Sequence, residues 1–373
     1  VLVEMETAGI KIDQESIGKL SKTTDEQIKN LEKEIYKLAG EEFNINSPRQ
    51  LAHILFDIIG LKGKVKKTGK GALSTAAAEL EKFSEDHPII EMILKHRELQ
   101  KLKTTYIDPF PAMIDKRTGR LHTTYNQTGT TTGRLSSQNP NLQNIPVRTE
   151  LGQEFRRSFV ADKGFKLISF DYSQLELRVV AHISNDEKMR EAFKRGEDIH
   201  TRTAAEIFEV PADKVTKSMR RDAKTLNFGV VYGMGQMGFQ RAAGVTRERA
   251  KEFIRKYMEE FSGIAAYMEQ TKQFARQNGY VSTIFGRRRQ LETINSTIPE
   301  LVRQAERMAI NMPVQGTAAD LIKMAMIKAD EFIHKIYSHE EVRMLLQVHD
   351  ELLFETKAEL VSKLSKEIKD IME

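Results

Sequence analysis

Apolar residues along this chain fall into two periods, and the change from one to the other marks out the elements. Within residues 13–38, Ile17, Leu20, Ile28, Leu31, Ile35 and Leu38 recur at three- and four-residue steps among Lys, Glu and Gln. That spacing predicts a long amphipathic helix. Residues 89–102, following Pro88, repeat the pattern and predict a second helix that returns antiparallel to the first, with a different module at the hairpin's tip. Residues 165–178 read Phe-Lys-Leu-Ile-Ser-Phe-Asp-Tyr-Ser-Gln-Leu-Glu-Leu-Arg. This alternating run ends on Asp171 and then turns helix-favouring, so a strand should stop at Asp171 and a helix should occupy 175–184. Residues 186–299 predict mostly helix with glycine breaks. Residues 300–311 and 315–336 predict two helical runs divided by Pro313, which should end or kink the helix. In residues 342–356, apolar runs flank a polar turn, predicting a β-hairpin with Asp350 and Glu351 at its bend. The expected class is α+β: a small sheet interrupted by one large helical insertion, with a helical hairpin in front.

Length and composition narrow the field. At 373 residues the chain exceeds one ordinary domain, and two or three lobes are expected. A net charge of +5 suits a polyanionic partner only where positive charge clusters. The sequence has no cysteine, which excludes disulfides, thiolate metal sites and cysteine nucleophiles. No apolar run approaches the ~20 residues of a membrane span, and no basic-then-apolar leader opens the chain. These features predict a soluble, intracellular protein that does not engage a membrane. A start at Val1 predicts a fragment or a processed product.

Charge does cluster at the hairpin's tip. Ser47-Pro48 opens a short helix, and Gly60 to Gly71 then carries Lys62, Lys64, Lys66, Lys67 and Lys70. A solvated loop is one reading; backbone phosphates held by mobile lysines and a nearby helix N-terminus are the other. Residues 128–146, dense in Thr, Asn, Gln, Pro and Gly, are too polar for a core and too irregular for a helix. Either they form a disordered linker, or Leu135, Leu142 and Ile145 anchor an ordered loop suited to sugar and minor-groove edges.

The candidate chemistry lies on strand ends. Asp171 suits a divalent cation on rigid backbone, although an aspartate closing a strand is also a common helix N-cap. If the strand carrying Asp171 neighbours the hairpin carrying Asp350, both carboxylates reach one site, and such a pair can bridge two metal ions ~3.5–4 Å apart for in-line phosphoryl transfer. Unrelated turn acids are the alternative. In the helical insertion, Arg220, Lys224, Phe228 and Tyr232 are spaced four apart. They make one slowly winding stripe about 18 Å long, with cations toward one end and rings toward the other. That gradient suits a triphosphate and a base, whereas a core helix would place Leu226, Val230 and Val231 on the stripe. His200 adds a phosphate donor or a structural histidine. Gly233 to Gly238 has the glycine spacing of a dinucleotide-binding loop but follows a helix, which rejects that reading. Arg287, Arg288 and Arg289 fit template phosphates and plain surface equally.

Together these residues resemble a known family. Asp-Tyr-Ser-Gln-Leu-Glu-Leu-Arg at 171–178, Arg220-x3-Lys224-x3-Phe228-x3-Tyr232-Gly233, and Val348-His349-Asp350-Glu351 look like motifs A, B and C of the family A DNA polymerases. Residues 132–146 and 311–320 resemble further signatures of it, and the similarity spans nearly the whole chain. The resemblance implies a right-hand polymerase fold: a thumb at 1–105, a palm at 106–185 and 300–373 with an antiparallel sheet, and fingers at 186–299.

It implies template-directed DNA synthesis on primer-template DNA from deoxynucleoside triphosphates, by a monomer in the cytoplasm or nucleoid if the source is bacterial or phage. Asp171, Asp350 and the Tyr172 carbonyl would bind two Mg2+ ions, with Glu351 supporting the site. Arg220, Lys224 and His200 would hold the incoming triphosphate, and Lys224 would protonate the departing pyrophosphate. Phe228 would stack on the nucleotide, Tyr232 would occupy the template-base position until the fingers close, and Gln174 would join the nucleotide site. Glu176 would lie under the sugar's 2′ position and exclude a hydroxyl. Single-subunit RNA polymerases of similar layout carry a small residue there. Arg134, Asn311, Gln315 and His349 would feel the minor groove, and Lys64, Lys66 and Lys67 would meet DNA at the tip. Family members continue beyond the last helix into a closing palm strand, where this sequence stops at Glu373.

Overall fold

The structure, a computed structural model, describes every residue from Val1 to Glu373 except Lys70 and Arg148. Lys70, one of the tip lysines, thus lies outside the described residues. The chain divides into two compact bodies, residues 5–124 with 138–167, and residues 1–4, 125–137 and 168–373.

In the first body the amphipathic patterns become helices Gln14–Ala39 and Ile89–Leu102, which pack on each other. Asp13 caps the first by accepting from the Glu15 and Ser16 amides, and Gly40 ends it at φ +81 in the left-handed region. Ile35, Leu51, Ile54, Leu55, Leu80, Phe83, Ile89, Ile90 and Ile93 form their common core. Each such side chain stabilises the hairpin by about 1.5–3 kcal/mol through burial. Helix Pro48–Ala52 starts as expected, with the Ser47 hydroxyl accepting from the Gln50 amide. The tip beyond it is a tight turn rather than loose chain. Lys67 bridges Leu73, and the Thr68 amide donates to the Ala72 carbonyl at 2.7 Å. Lys62, Lys64, Lys66 and Lys67, at or before this turn, stay exposed. A small antiparallel sheet was not foreseen: Ile10–Ile12 lies between Arg120–Leu121 and Phe159–Val160. Its strands of two or three residues are too short to show a period. Helix Glu150–Arg157 was likewise not foreseen.

A three-stranded sheet runs in the order Phe165–Asp171, Glu351–Lys357, Val342–Val348, and all of it from Ile168 on belongs to the second body. The last two form the expected hairpin, pairing Glu351 with Val348. Helix Leu175–Ile183 follows the first strand. The insertion runs through helices Glu187–Lys194, Ile199–Phe208, Lys217–Val231, Gln236–Ala243, Arg247–Glu260 and Ser262–Asn278. It closes with a hairpin, Tyr280–Ser282 against Arg288–Gln290, which the mostly helical reading missed.

Pro313 does not divide its segment. Pro299–Ile336 is one helix with Pro313 inside it and buried, contrary to the expectation of two runs. An interior proline costs about 3 kcal/mol through its missing N–H and its ring clash. Here buried neighbours on both sides, Met312 and Val314, and packing against Leu175–Ile183 and Ser262–Asn278 hold the helix continuous. The Tyr267 hydroxyl donates to the Ile310 carbonyl at 3.0 Å, next to the Ala309 carbonyl that Pro313 leaves without its helical donor.

Candidate active site

The strand from Phe165 ends on Asp171, and the next amide ties it to the hairpin bend: the Tyr172 N–H donates to the Asp350 carbonyl at 3.2 Å. The Ser169 hydroxyl, two residues before Asp171 and hence on the same strand face, donates to Glu351 Oε1. The rings of Phe170 and Phe354 meet edge-on at 5.6 Å. These contacts bring Asp171, Asp350 and Glu351 to one end of the sheet.

The bend is built under local strain. His349 has φ +57, a left-handed conformation that costs a non-glycine residue roughly 1–2 kcal/mol. Its carbonyl accepts from the Gln347 side-chain amide. Gln347 is itself held by Tyr125, whose hydroxyl accepts from the Gln347 amide at 2.9 Å and donates to its carbonyl at 3.3 Å. Buried polar groups with satisfied partners make this turn rigid. Sequence reasoning missed Gln347, Tyr125 and Ser169, although a glutamine inside the apolar run 344–348 was a visible signal.

Asp171 titrates high, pushed up to about 6 by lost solvation and then by the negative charges of Asp350 and Glu351. An oxygen-only set of carboxylates in which two negative charges raise the proton affinity of Asp171 fits a hard divalent cation, whose charge would remove the repulsion.

Helix Lys217–Val231 is capped by Thr216, whose hydroxyl accepts from the Met219 amide at 3.2 Å. Its buried side carries Ala223, Leu226, Val230 and Val231, so the aliphatic residues do lie away from the stripe. On the stripe, Arg220 pairs with Asp198 at 2.6 Å. Lys224 is exposed, with no hydrogen-bond or ion-pair partner among the described residues. Phe228 lies 5.7 Å from the His200 ring. Tyr232 ends the helix with its ring 41% exposed while its hydroxyl reaches Glu176.

His200 is buried, and burial pushes its imidazole down to about 4, helped by Arg220 and Lys224 against the opposing charge of Asp198. The ring is therefore neutral. The Asn227 side-chain amide donates to His200 Nδ1 at 3.0 Å and its oxygen accepts from Thr203 at 3.1 Å. With Nδ1 accepting, the proton sits on Nε2, leaving His200 one uncharged donor.

Glu176 is nearly buried and accepts twice, from Arg134 at 2.6 Å and from the Tyr232 hydroxyl at 2.6 Å. Gln174, just before this helix, sits at φ +56, and its Oε1 is buried without a partner among the described residues. Asn311 Nδ2 is in the same condition. Gln315, one helical turn on, is half-buried. All of these residues belong to the second body; Lys64, Lys66 and Lys67 belong to the first.

Residues 14–373 match the sequence profile of DNA polymerase family A. This chain belongs to that family. It is 51% identical over 373 residues to the thermostable DNA polymerase I of Thermus aquaticus, covering 99% of this chain and 44% of that protein. Against DNA polymerase I of Deinococcus radiodurans the identity is 46%, covering 99% of this chain and 38% of the relative. The chain thus spans less than half the length of these relatives. Among solved structures, the polymerase domain of Pol1 from M. smegmatis, in complex with DNA primer-template and dNTP, superposes with a TM-score of 0.94 at 40% identity. That match covers 100% of this chain and 65% of the other, so the fold is the right-hand polymerase fold.

Within this family A chain the arginine run is tied down. Arg287 donates to buried Asp320 at 2.9 and 2.7 Å. Arg288 lies 4.7 Å over the Tyr280 ring, and Arg289 reaches the Met308 sulfur at 3.2 Å. Asp320 also accepts from Thr283 at 3.0 Å. Arg287 thereby holds the 280–290 hairpin to the long helix.

Proposed function

We propose that this chain catalyses template-directed DNA synthesis, adding deoxynucleotides to a primer's 3′ end with release of pyrophosphate. The observation that carries the reading is the union of Asp171 and Asp350 through the Tyr172–Asp350 backbone bond, in a chain of family A. Residues 1–105 act as thumb, 106–185 and 300–373 as palm, and 186–299 as fingers. The protein works as a monomer on primer-template DNA, in the cytoplasm.

Asp171, Asp350 and the Tyr172 carbonyl would hold two Mg2+ ions, which supply Lewis-acid activation of the attacking and leaving oxygens when bound. Glu351, anchored by Ser169, adds negative charge beside them without serving as a ligand. The primer's 3′-hydroxyl gives up its proton to water as its oxygen attacks the α-phosphorus, the bond from that phosphorus to the bridging oxygen breaks, and pyrophosphate leaves. Lys224, which has no competing partner among the described residues, donates a proton to the departing group. Arg220 exchanges Asp198 for phosphate oxygens, and His200 offers Nε2–H as a neutral donor.

Phe228 stacks on the incoming base, and Tyr232 occupies the template-base position until the fingers close. Glu176, fixed by Arg134, closes the space a 2′-hydroxyl needs, and Gln174 lines the same nucleotide site. Asn311, Gln315, His349 and Arg134 read minor-groove acceptors that every base pair presents, a check on shape rather than on sequence. Lys64, Lys66 and Lys67 meet backbone phosphates.

Extension of a primed template by the wild-type chain, supplied with deoxy- or ribonucleotides, tests the reading. Deoxynucleotide extension is expected. Extension with ribonucleotides alone would make the chain an RNA polymerase, and no extension while DNA is bound would leave a silent binding module.

A further inference from the structure

One polar cluster plays no part in this chemistry. Glu4, Asp330 and His334 converge so that one ligand atom from each lies within 4.8 Å of the other two. Among the described residues no other trio of histidine and carboxylate groups does so. All three belong to the same compact body, and Asp330 and His334, four apart on helix Pro299–Ile336, share a helix face.

The imidazole is preset for a ligand. His334 Nδ1 lies 2.8 Å from the Asp330 carbonyl oxygen, a group that can only accept, so Nδ1 carries the proton. Nε2, bearing the lone pair of the neutral ring, lies 3.2 Å from Glu4 Oε1. Between Nε2 and Glu4 there is room for either a shared proton or a cation that both electron pairs could bind, and the Asp330 carboxylate lies 3.7 Å from Nδ1 of the same ring. A histidine whose second nitrogen donates to a backbone carbonyl is the usual arrangement of a metal ligand, since that bond fixes tautomer and ring orientation.

We propose that the Glu4 and Asp330 carboxylates and Nε2 of His334 form a binding site for a divalent first-row transition ion such as Zn2+. Imidazole with carboxylates selects this class over Mg2+, which prefers oxygen alone. The site is therefore chemically distinct from the Asp171 centre. It clips the N-terminal segment bearing Glu4 to the long helix, and because only the folded chain brings the ligands together, ion binding stabilises the fold.

The test is a calorimetric titration with ZnCl2 at pH 7.5 under excess MgCl2, on wild type, His334→Gln and Glu4→Gln, each also melted with and without Zn2+. The wild type should bind one equivalent more than either variant, or bind it at least tenfold more tightly, and its melting temperature alone should rise with Zn2+. The same count and affinity in all three proteins would overturn the assignment. So would a wild type whose melting is indifferent to Zn2+, which would mean that a proton joins His334 to Glu4.

Discussion

Tyr232 donates a 2.6 Å hydrogen bond to Glu176, linking the end of helix Lys217–Val231 to the residue five positions beyond Asp171. The other Glu176 oxygen is occupied by Arg134 at 2.6 Å, so the carboxylate is fixed at both ends. A fixed carboxylate excludes an added hydroxyl more sharply than a mobile one. Glu176→Ala should therefore lower discrimination against ribonucleotides by at least about a hundredfold, measured as the ratio of kcat/KM for the two sugars. Tyr232→Phe, which frees one oxygen, should relax it less. Unchanged discrimination in Glu176→Ala would remove this residue from sugar selection.

Asp171 offers a prediction whose sign follows from its raised titration. Its carboxyl goes from 3.8 to about 6 on folding, so the folded chain holds a proton that the unfolded chain has released. Stability from this group is then present at low pH, falls as pH rises from 3.8 to about 6, and stays reduced above that. A divalent cation relieves the cost only where the carboxylate is ionised. Mg2+ should raise the melting temperature at pH 8 and not at pH 4, and Asp171→Asn should abolish most of that shift. Equal shifts at both pH values would argue that the cation acts elsewhere.

His200 behaves in the opposite sense. Its folded value, about 4, lies below the ordinary 6.5, so stability is intact above 6.5 and is lost as pH falls toward 4. His200→Gln should flatten the denaturant-derived stability curve across that window. The slope, rather than the absolute stability, is the diagnostic, because the variant also disturbs Asn227.

The lysine tip is tested by salt. Replacing Lys62, Lys64, Lys66 and Lys67 with Gln should reduce the slope of log affinity for duplex DNA against log salt by about 1 per lost phosphate contact. The same slope in the variant would make the tip a solvated turn only.

Arg287→Ala should cost about 1–3 kcal/mol of stability, because it strips buried Asp320 of its charged partner while leaving Thr283. Chemical denaturation would measure this loss.

What the sequence reveals here depends on how far along the chain each interaction reaches. The helices Gln14–Ala39 and Ile89–Leu102, the strand ending on Asp171 and the hairpin bend at Asp350 and Glu351 were legible because each is encoded by its own period and breakers. Long-range partners were not. Nothing local couples Tyr125 to Gln347, Asn227 to His200, or Arg287 to Asp320; these pairings arise from packing. Pro313 misled for the same reason, since the local penalty for an interior proline was overridden by burial on both sides of it.

The most direct test of the account is single-turnover incorporation of one deoxynucleotide into a primed template by wild type and by Asp171→Asn, with primer-template affinity measured on the same preparations. Removing a carboxylate that holds the catalytic cations should cost several kcal/mol at the transition state, a rate loss on the order of a thousandfold, while DNA affinity stays within about twofold. Incorporation at an undiminished rate by Asp171→Asn would contradict the account.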